Sequence, residues 1–133
     1  MAIAHERVTI PPRGSDHFPQ AVHEEAMQLA VTDLVRSLRK DLGTSLVAVL
    51  VDVPAARIVD EWARGKATPT PVQEQRLRAA YEVVRTLRAW DAPDTIRAWF
   101  VGMNPLLGDS SPALMLAKDP AAVLEAAHGL IAM

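Results

Sequence analysis

The stretch PVQEQRLRAAYEVVRTLRAW, residues 71–90, decides the fold class of this chain. Its apolar side chains recur at intervals of three and four residues, which places them in one stripe along a helix: Leu77, Ala80, Tyr81, Val84 and Leu87. Pro71 suits a first helical position, because the N–H that proline lacks would have no partner there. The stretch is therefore predicted to form a long amphipathic helix.

The same spacing extends toward the N-terminus. An apolar stripe predicts one helix over residues 21–42, ended by Gly43 as a left-handed cap: Met27, Val31, Leu34, Leu38 and Leu42. A short helix is predicted from Ser45. A further helix is predicted from Pro54 to about Arg64.

Residues 1–20 carry Pro11, Pro12 and Pro19 and show no helical periodicity. Proline removes a backbone donor and interrupts helices. We therefore expect a flexible N-terminal arm over residues 1–20.

Toward the C-terminus the chain is divided by turn and capping residues. Pro93 opens a helix that runs to Val101, and two glycine-containing turns follow it. Ser111-Pro112 and Asp119-Pro120 each combine an N-cap with proline at the first helical position, which predicts helices over 112–118 and 120–131. With no strand or repeat predicted, the fold class is all-α.

Composition limits the possible functions. The chain has 133 residues, of which half are hydrophobic and 23% are charged, as is typical of a globular domain. It contains no cysteine, and its net charge is -2, whereas a dedicated nucleic-acid binder is usually basic. The longest apolar run, residues 46–51, is too short to span a bilayer, and the sequence predicts no export signal. We expect a cytoplasmic protein without a membrane span.

The sequence offers no catalytic constellation. The histidines His5, His17, His23 and His128 do not share metal-ligand spacing, and no phosphate-binding loop, GxGxxG or GxSxG is present. No base is placed beside a nucleophilic serine. We expect no enzymatic activity, no metal and no cofactor.

Residues 45–65 have the spacing of a helix-turn-helix, whose second helix can enter a DNA major groove. The candidate DNA contacts are small or basic residues at the two ends of that helix: Ala55, Ala56, Arg57, Arg64 and Lys66. Asp60 and Glu61 lie on the same helix and oppose a phosphate backbone. The alternative is a three-helix packing unit without contact to DNA.

The segment WFVGMNPLLGDSSP, residues 99–112, is rich in turn residues and also contains the apolar residues Met103, Leu106 and Leu107. Loops are usually polar, so apolar side chains on this segment indicate a partner surface. The C-terminal helix, predicted from Pro120, is also apolar, with Val123, Leu124, Ala127, Leu130 and Ile131. That helix docks either on the protein's own core or on a partner.

Two runs carry a family resemblance, WARGKATPTPVQEQRLRAAYEVVRTL (62–87) and AWFVGMNPLLGDSSPALMLAKDPAAVLEAA (98–127). Residues 30–133 resemble the Xre–MbcA–ParS antitoxins. The second run is the more specific. It resembles that family's toxin-binding domain in its order of Trp, Asn-Pro, Leu-Gly and Ser-Pro before a leucine-rich helix and a final Val-Leu helix.

The resemblance implies an Xre-like helix-turn-helix region over residues 21–66 and a helical toxin-binding domain over 67–133. The implied partner is a RES-domain toxin that consumes NAD, whose active-site entrance the antitoxin covers. Self-association within the complex and repression of the operon, by binding operator DNA as a complex, are also implied. The candidate toxin-binding residues are Trp99, Asn104, Pro105, Leu107, Gly108, Ser111, Pro112, Leu116, Leu130 and Ile131.

Two features depart from the family pattern. Asp109 stands where a second glycine is common, and glycine reaches backbone angles that other residues adopt only at a cost. The second helix of the helix-turn-helix region is also poor in basic residues. A stand-alone transcriptional regulator is the main alternative function, and a small-molecule enzyme or carrier ranks last because no polar residues converge.

Overall fold

The computed structural model describes residues 17–132, with side chains from Phe18 onward. These residues form eight α-helices and one short 3-10 helix, η1, and contain no strand, so the predicted all-α class is confirmed. The helices are α1 (His17–Gln28), α2 (Val31–Leu42), α3 (Thr44–Val51), α4 (Ala56–Ala63), α5 (Pro71–Arg88), α6 (Pro93–Val101), η1 (Pro105–Leu107), α7 (Pro112–Met115) and α8 (Pro120–Ile131). Between residues 17 and 132 no helix has the length and apolar character needed to cross a bilayer.

The prediction of a flexible arm over residues 1–20 is wrong for residues 17–20. Residues 17–20 belong to α1, and Phe18 is buried with its ring edge-to-face against Trp90 at a centroid distance of 5.4 Å. An aromatic pair of this geometry stabilises the fold beyond the area it buries. Residues 1–16, the rest of the predicted arm, lie outside the described residues.

The single helix predicted over residues 21–42 is wrong, because the chain breaks between α1 and α2. Ala30 has extended backbone angles, φ −63° and ψ 145°. The guanidinium of Arg78, on α5, donates to the carbonyl oxygens of Ala26 and Leu29 at 2.8 Å each. Arg78 thus satisfies carbonyls that a continuous helix would have bonded internally.

The boundaries of the next two helices also differ from those predicted. Helix α3 begins at Thr44, directly after Gly43, and its buried face includes Val47 and Leu50, whereas Val49 is exposed. Asp52 ends α3 in the left-handed conformation, and α4 begins at Ala56, so Pro54 lies in the turn. The extended backbone of Ala55, φ −147°, prevents the helix from starting earlier.

Helix α5 lies at the centre of the fold. It packs against α1, α2 and α3 from the first half of the chain and against α6 and α8 from the second. Buried side chains from Phe18 to Ile131 form one hydrophobic cluster. The predicted division between residues 66 and 67 stays a prediction, since the residues described here share a core across it.

Candidate functional site

Exposed apolar side chains are concentrated near the C-terminus. Within residues 18–132, eight large hydrophobic side chains are exposed, and five of these lie between residues 101 and 130. We call these five the C-terminal apolar surface: Val101, Met103, Leu106, Leu114 and Leu130. Contiguous exposed apolar side chains are typical of a protein–protein contact, whereas single exposed apolar residues are ordinary.

The loop that carries part of this surface is held by the polar groups of Asn104. Its side-chain oxygen accepts a hydrogen bond from the Leu106 N–H at 2.9 Å. Its carbonyl oxygen accepts from the N–H groups of Leu107 and Asp109, and its own N–H donates to the Ser110 carbonyl. The loop is therefore fixed with Leu107 in the core and Leu106 exposed.

The loop and the end of α8 meet at Gly129. A Cβ atom placed on Gly129 would lie 3.2 Å from Cδ1 of Leu106, so the leucine side chain covers this glycine. Leu130 follows directly. The contact joins the exposed side chains of η1 and α8 into one region.

A groove opens beside this region. Its volume is about 470 Å³, and it is lined by Asp91, Thr95, Ala98, Trp99, Leu130 and Ile131. The half-buried Trp99 ring is fixed edge-to-face against Phe100 at a centroid distance of 5.2 Å. The Asp91 carboxylate makes no ion pair with any residue between 18 and 132. The groove thus combines an apolar wall with one carboxylate and one hydroxyl.

The candidate toxin-binding residues fall into two groups. Trp99 and Leu130 line the groove, Pro105 and Gly108 are exposed, and Ser111 is half-buried at the N-cap of α7. The remaining five are mostly or fully buried: Asn104, Leu107, Pro112, Leu116 and Ile131.

Burial leaves two members of the second group with little or no surface that a partner could contact in this conformation. Leu116 has no exposed surface and belongs to the core. Ile131 is 6% exposed and presents only an edge to the groove. Helical periodicity could not separate Leu116 from its exposed neighbour Leu114, because a helix of four residues makes barely one turn.

The candidate DNA contacts lie at the two ends of α4. Ala55 is its N-cap and Ala56 its first residue, both half-buried. Arg57 is exposed and pairs with Glu61 at 3.4 Å. Arg64 and Lys66 follow the helix and are exposed.

A cation that sequence reasoning missed lies close to that second end. Nε of Arg36, on α2, donates to the carbonyl oxygen of Ala63 at 2.9 Å. The acidic residue Asp60 is paired with Arg39 at 2.9 Å, which reduces its opposition to a phosphate. No periodicity links Arg36 to residues 64–66, since the contact is made only in the folded chain.

The side chains between residues 18 and 132 contain no cluster of three or more His, Asp or Glu that could hold a metal ion. Comparison of the chain with protein-family models, with curated proteins and with solved structures gives no match. The resemblance to the Xre–MbcA–ParS antitoxins therefore depends on the sequence runs quoted above.

Proposed function

We propose that this protein is an antitoxin that binds a RES-domain toxin through its C-terminal apolar surface and the adjoining groove. Binding would cover the entrance to the toxin's active site and stop its consumption of NAD. The antitoxin itself supplies no catalysis and no cofactor in this proposal. It acts in the cytoplasm and self-associates within the complex.

The observation that carries the proposal is the concentration of exposed apolar side chains between the end of α6 and the end of α8. Removing such side chains from water is a main source of binding free energy in protein complexes. The Asn104 hydrogen bonds hold the loop in position before binding. A preformed loop loses less conformational entropy on binding than a mobile one.

The first experiment is to purify the protein from its source cells, identify the protein that accompanies it, and measure NAD consumption by that partner. Adding this chain is expected to suppress the NAD consumption. Leu106→Asp and Leu114→Asp should each weaken binding at least about tenfold, since burying an unpaired carboxylate in an apolar contact is costly.

Val72→Asp is the matched control. Val72 is as exposed as a member of the C-terminal apolar surface but lies in the first turn of α5, where an acidic residue suits the helix dipole. It should leave partner binding unchanged. A partner that keeps its full affinity for Leu106→Asp and Leu114→Asp, or whose NAD consumption ignores the antitoxin, would contradict the proposal.

A second candidate function is transcriptional regulation through DNA. It is favoured by the cations at the end of α4, where Arg64 and Lys66 have no ion pair within residues 18–132 and Arg36 lies close. Arg64→Ala and Lys66→Ala should then weaken binding to upstream DNA and reduce its salt dependence. Binding that is insensitive to salt would exclude this function.

A further inference from the structure

The groove beside α6 contains a carboxylate that the rest of the described chain does not pair. Asp91 is half-buried, and its side chain makes no ion pair or hydrogen bond with any residue between 18 and 132. A half-buried carboxylate has lost part of its hydration, and a cation or a hydrogen-bond donor can replace that hydration. The groove therefore favours an occupant that carries a positive charge.

The two arginines that flank Asp91 in the sequence are occupied elsewhere. Arg88 pairs with the carboxylate of Asp41 at 2.7 Å. Arg97 donates to the backbone carbonyl oxygen of Asp41 at 2.6 Å and also pairs with Asp94. Neither guanidinium neutralises Asp91, so the cation that suits this carboxylate comes from outside the described chain.

The wall of the groove distinguishes between the possible cations. The half-buried indole of Trp99 lines it and is fixed edge-to-face against Phe100 at a centroid distance of 5.2 Å. Tryptophan attracts cations more strongly than any other aromatic side chain does. A guanidinium is planar and weakly hydrated, so it can stack on an indole while its N–H groups bind a carboxylate, whereas a lysine ammonium is compact and strongly hydrated.

The remaining lining residues suit the rest of an arginine side chain. Leu130 and Ile131 offer apolar surface to its aliphatic stem, and the hydroxyl of Thr95 can accept a further N–H. The groove volume of about 470 Å³ lies within the range of roughly 300–1,000 Å³ that is usual for small-ligand sites. An aliphatic side chain would cover the same wall but would leave the Asp91 carboxylate desolvated and unpaired.

We propose that this groove binds an arginine side chain of a partner protein, with its guanidinium on Asp91 and Trp99 and its stem on Leu130 and Ile131. The arginine anchors the partner beside the C-terminal apolar surface. That a toxin supplies this arginine rests on the proposed function, whereas the preference for arginine rests on the groove alone.

The test uses the full chain and capped tripeptides, N-acetyl-Ala-Xaa-Ala-amide, in which the central residue is arginine, citrulline or norleucine. Citrulline has the shape of arginine without its charge. The tryptophans are replaced biosynthetically by 5-fluorotryptophan, and the ¹⁹F resonance of Trp99 is assigned with Trp99→Phe. The arginine peptide should shift this resonance with a dissociation constant on the order of 1 mM. The Trp62 resonance, from a side chain that is 2% exposed, should not move.

The citrulline peptide should bind about three- to fivefold more weakly than the arginine peptide, as a partly exposed ion pair allows, and the norleucine peptide more weakly still. Asp91→Asn should abolish the preference for arginine over citrulline. Glu125→Gln is the matched control, because Glu125 is exposed on α8 and has no ion pair within residues 18–132. It removes the same charge and should keep the preference, so the comparison isolates the pairing of arginine with Asp91.

Three results would overturn the proposal. A norleucine peptide that binds as tightly as the arginine peptide would assign the groove to an apolar side chain. A preference for arginine that persists in Asp91→Asn would place the cation elsewhere, and a Trp99 resonance that no peptide shifts would exclude a side-chain site. The peptides contain no toxin, so failure here and failure of the antitoxin proposal are distinguishable.

Discussion

Tyr81 lies on the buried face of α5, near Glu25 of α1. Burial, reinforced by the Glu25 carboxylate and opposed by Arg85, raises the pKa of Tyr81 to about 12. The unfolded chain releases this proton near pH 10. Between about pH 10 and 12 the folded protein therefore binds more protons than the unfolded chain, and the free energy of unfolding should fall as the pH rises through this range.

Tyr81 is the only tyrosine, so the ultraviolet absorbance of tyrosinate reports its titration directly. Tyr81→Phe removes the group, so whatever pH dependence of stability remains belongs to other residues. Subtracting the pH dependence of the variant's free energy of unfolding from that of the original protein should leave a loss of stability confined to about pH 10 to 12. Titration of the folded protein near pH 10 would contradict this prediction.

Asp109 shows what the sequence could indicate at a single position. The resemblance to the antitoxin family indicates a position where glycine is common, and the structure gives Asp109 a left-handed backbone with φ 67°, directly after Gly108 with φ 63°. Aspartate tolerates this conformation better than most residues that carry a Cβ. The turn therefore forms, and the Asp109 N–H still bonds to the Asn104 carbonyl.

At the scale of elements, the start of α5 is held by two reciprocal capping hydrogen bonds. Thr70 accepts a hydrogen bond from the Gln73 N–H at 3.2 Å, and the Gln73 side chain accepts one from the Thr70 N–H at 2.8 Å. This reciprocal pair is a capping box. Thr70→Ala should lower the free energy of unfolding by about 1 kcal/mol, as judged by urea denaturation.

Thr68→Ala is the control for that change. Thr68 is exposed, lies two residues earlier, and makes no side-chain hydrogen bond within residues 18–132. Its replacement should change stability by less than about 0.5 kcal/mol. Equal effects of the two substitutions would mean that the capping box does not stabilise α5.

Sequence patterns predict helices well where a start signal and an apolar stripe agree, as at Pro71 and α5. They fail at the break between α1 and α2, where the apolar stripe continues through the boundary. The break is stabilised by Arg78, which lies 49 residues from Leu29 along the chain. The local sequence pattern cannot reveal a hydrogen-bond donor that comes close to these carbonyls only in the tertiary fold.

The same limit applies to the site at the scale of the whole molecule. The sequence predicts that residues 99–112 carry a partner surface, because apolar side chains occur there among turn residues. It cannot assign each of them to the core or the surface, since Leu106 and Leu107 are adjacent and only the second is buried. That assignment follows from the Asn104 hydrogen bonds and from the contact of Leu106 with Gly129.

The continuous core predicts how the whole molecule unfolds. Helix α5 packs against helices of both halves, so separating either half from α5 would expose the buried apolar side chains at that contact. Unfolding of residues 17–132 should therefore be a single transition, with the calorimetric enthalpy equal to the van't Hoff enthalpy. The division at residues 66 and 67 would then mark two functions within one cooperative unit.

Two core substitutions, one in each half of the chain, test this cooperativity. Leu50→Ala in α3 and Leu116→Ala directly after α7 each remove a fully buried side chain, and each should cost about 2–5 kcal/mol of stability. With its tryptophans replaced by 5-fluorotryptophan, the chain gives ¹⁹F resonances of Trp62 and Trp99 that report on the two halves separately. Because the core is shared, each substitution should lower the unfolding midpoint recorded by both resonances. If Leu116→Ala lowers only the Trp99 midpoint and leaves that of Trp62 in place, the halves are independent domains, and α5 belongs to just one of them.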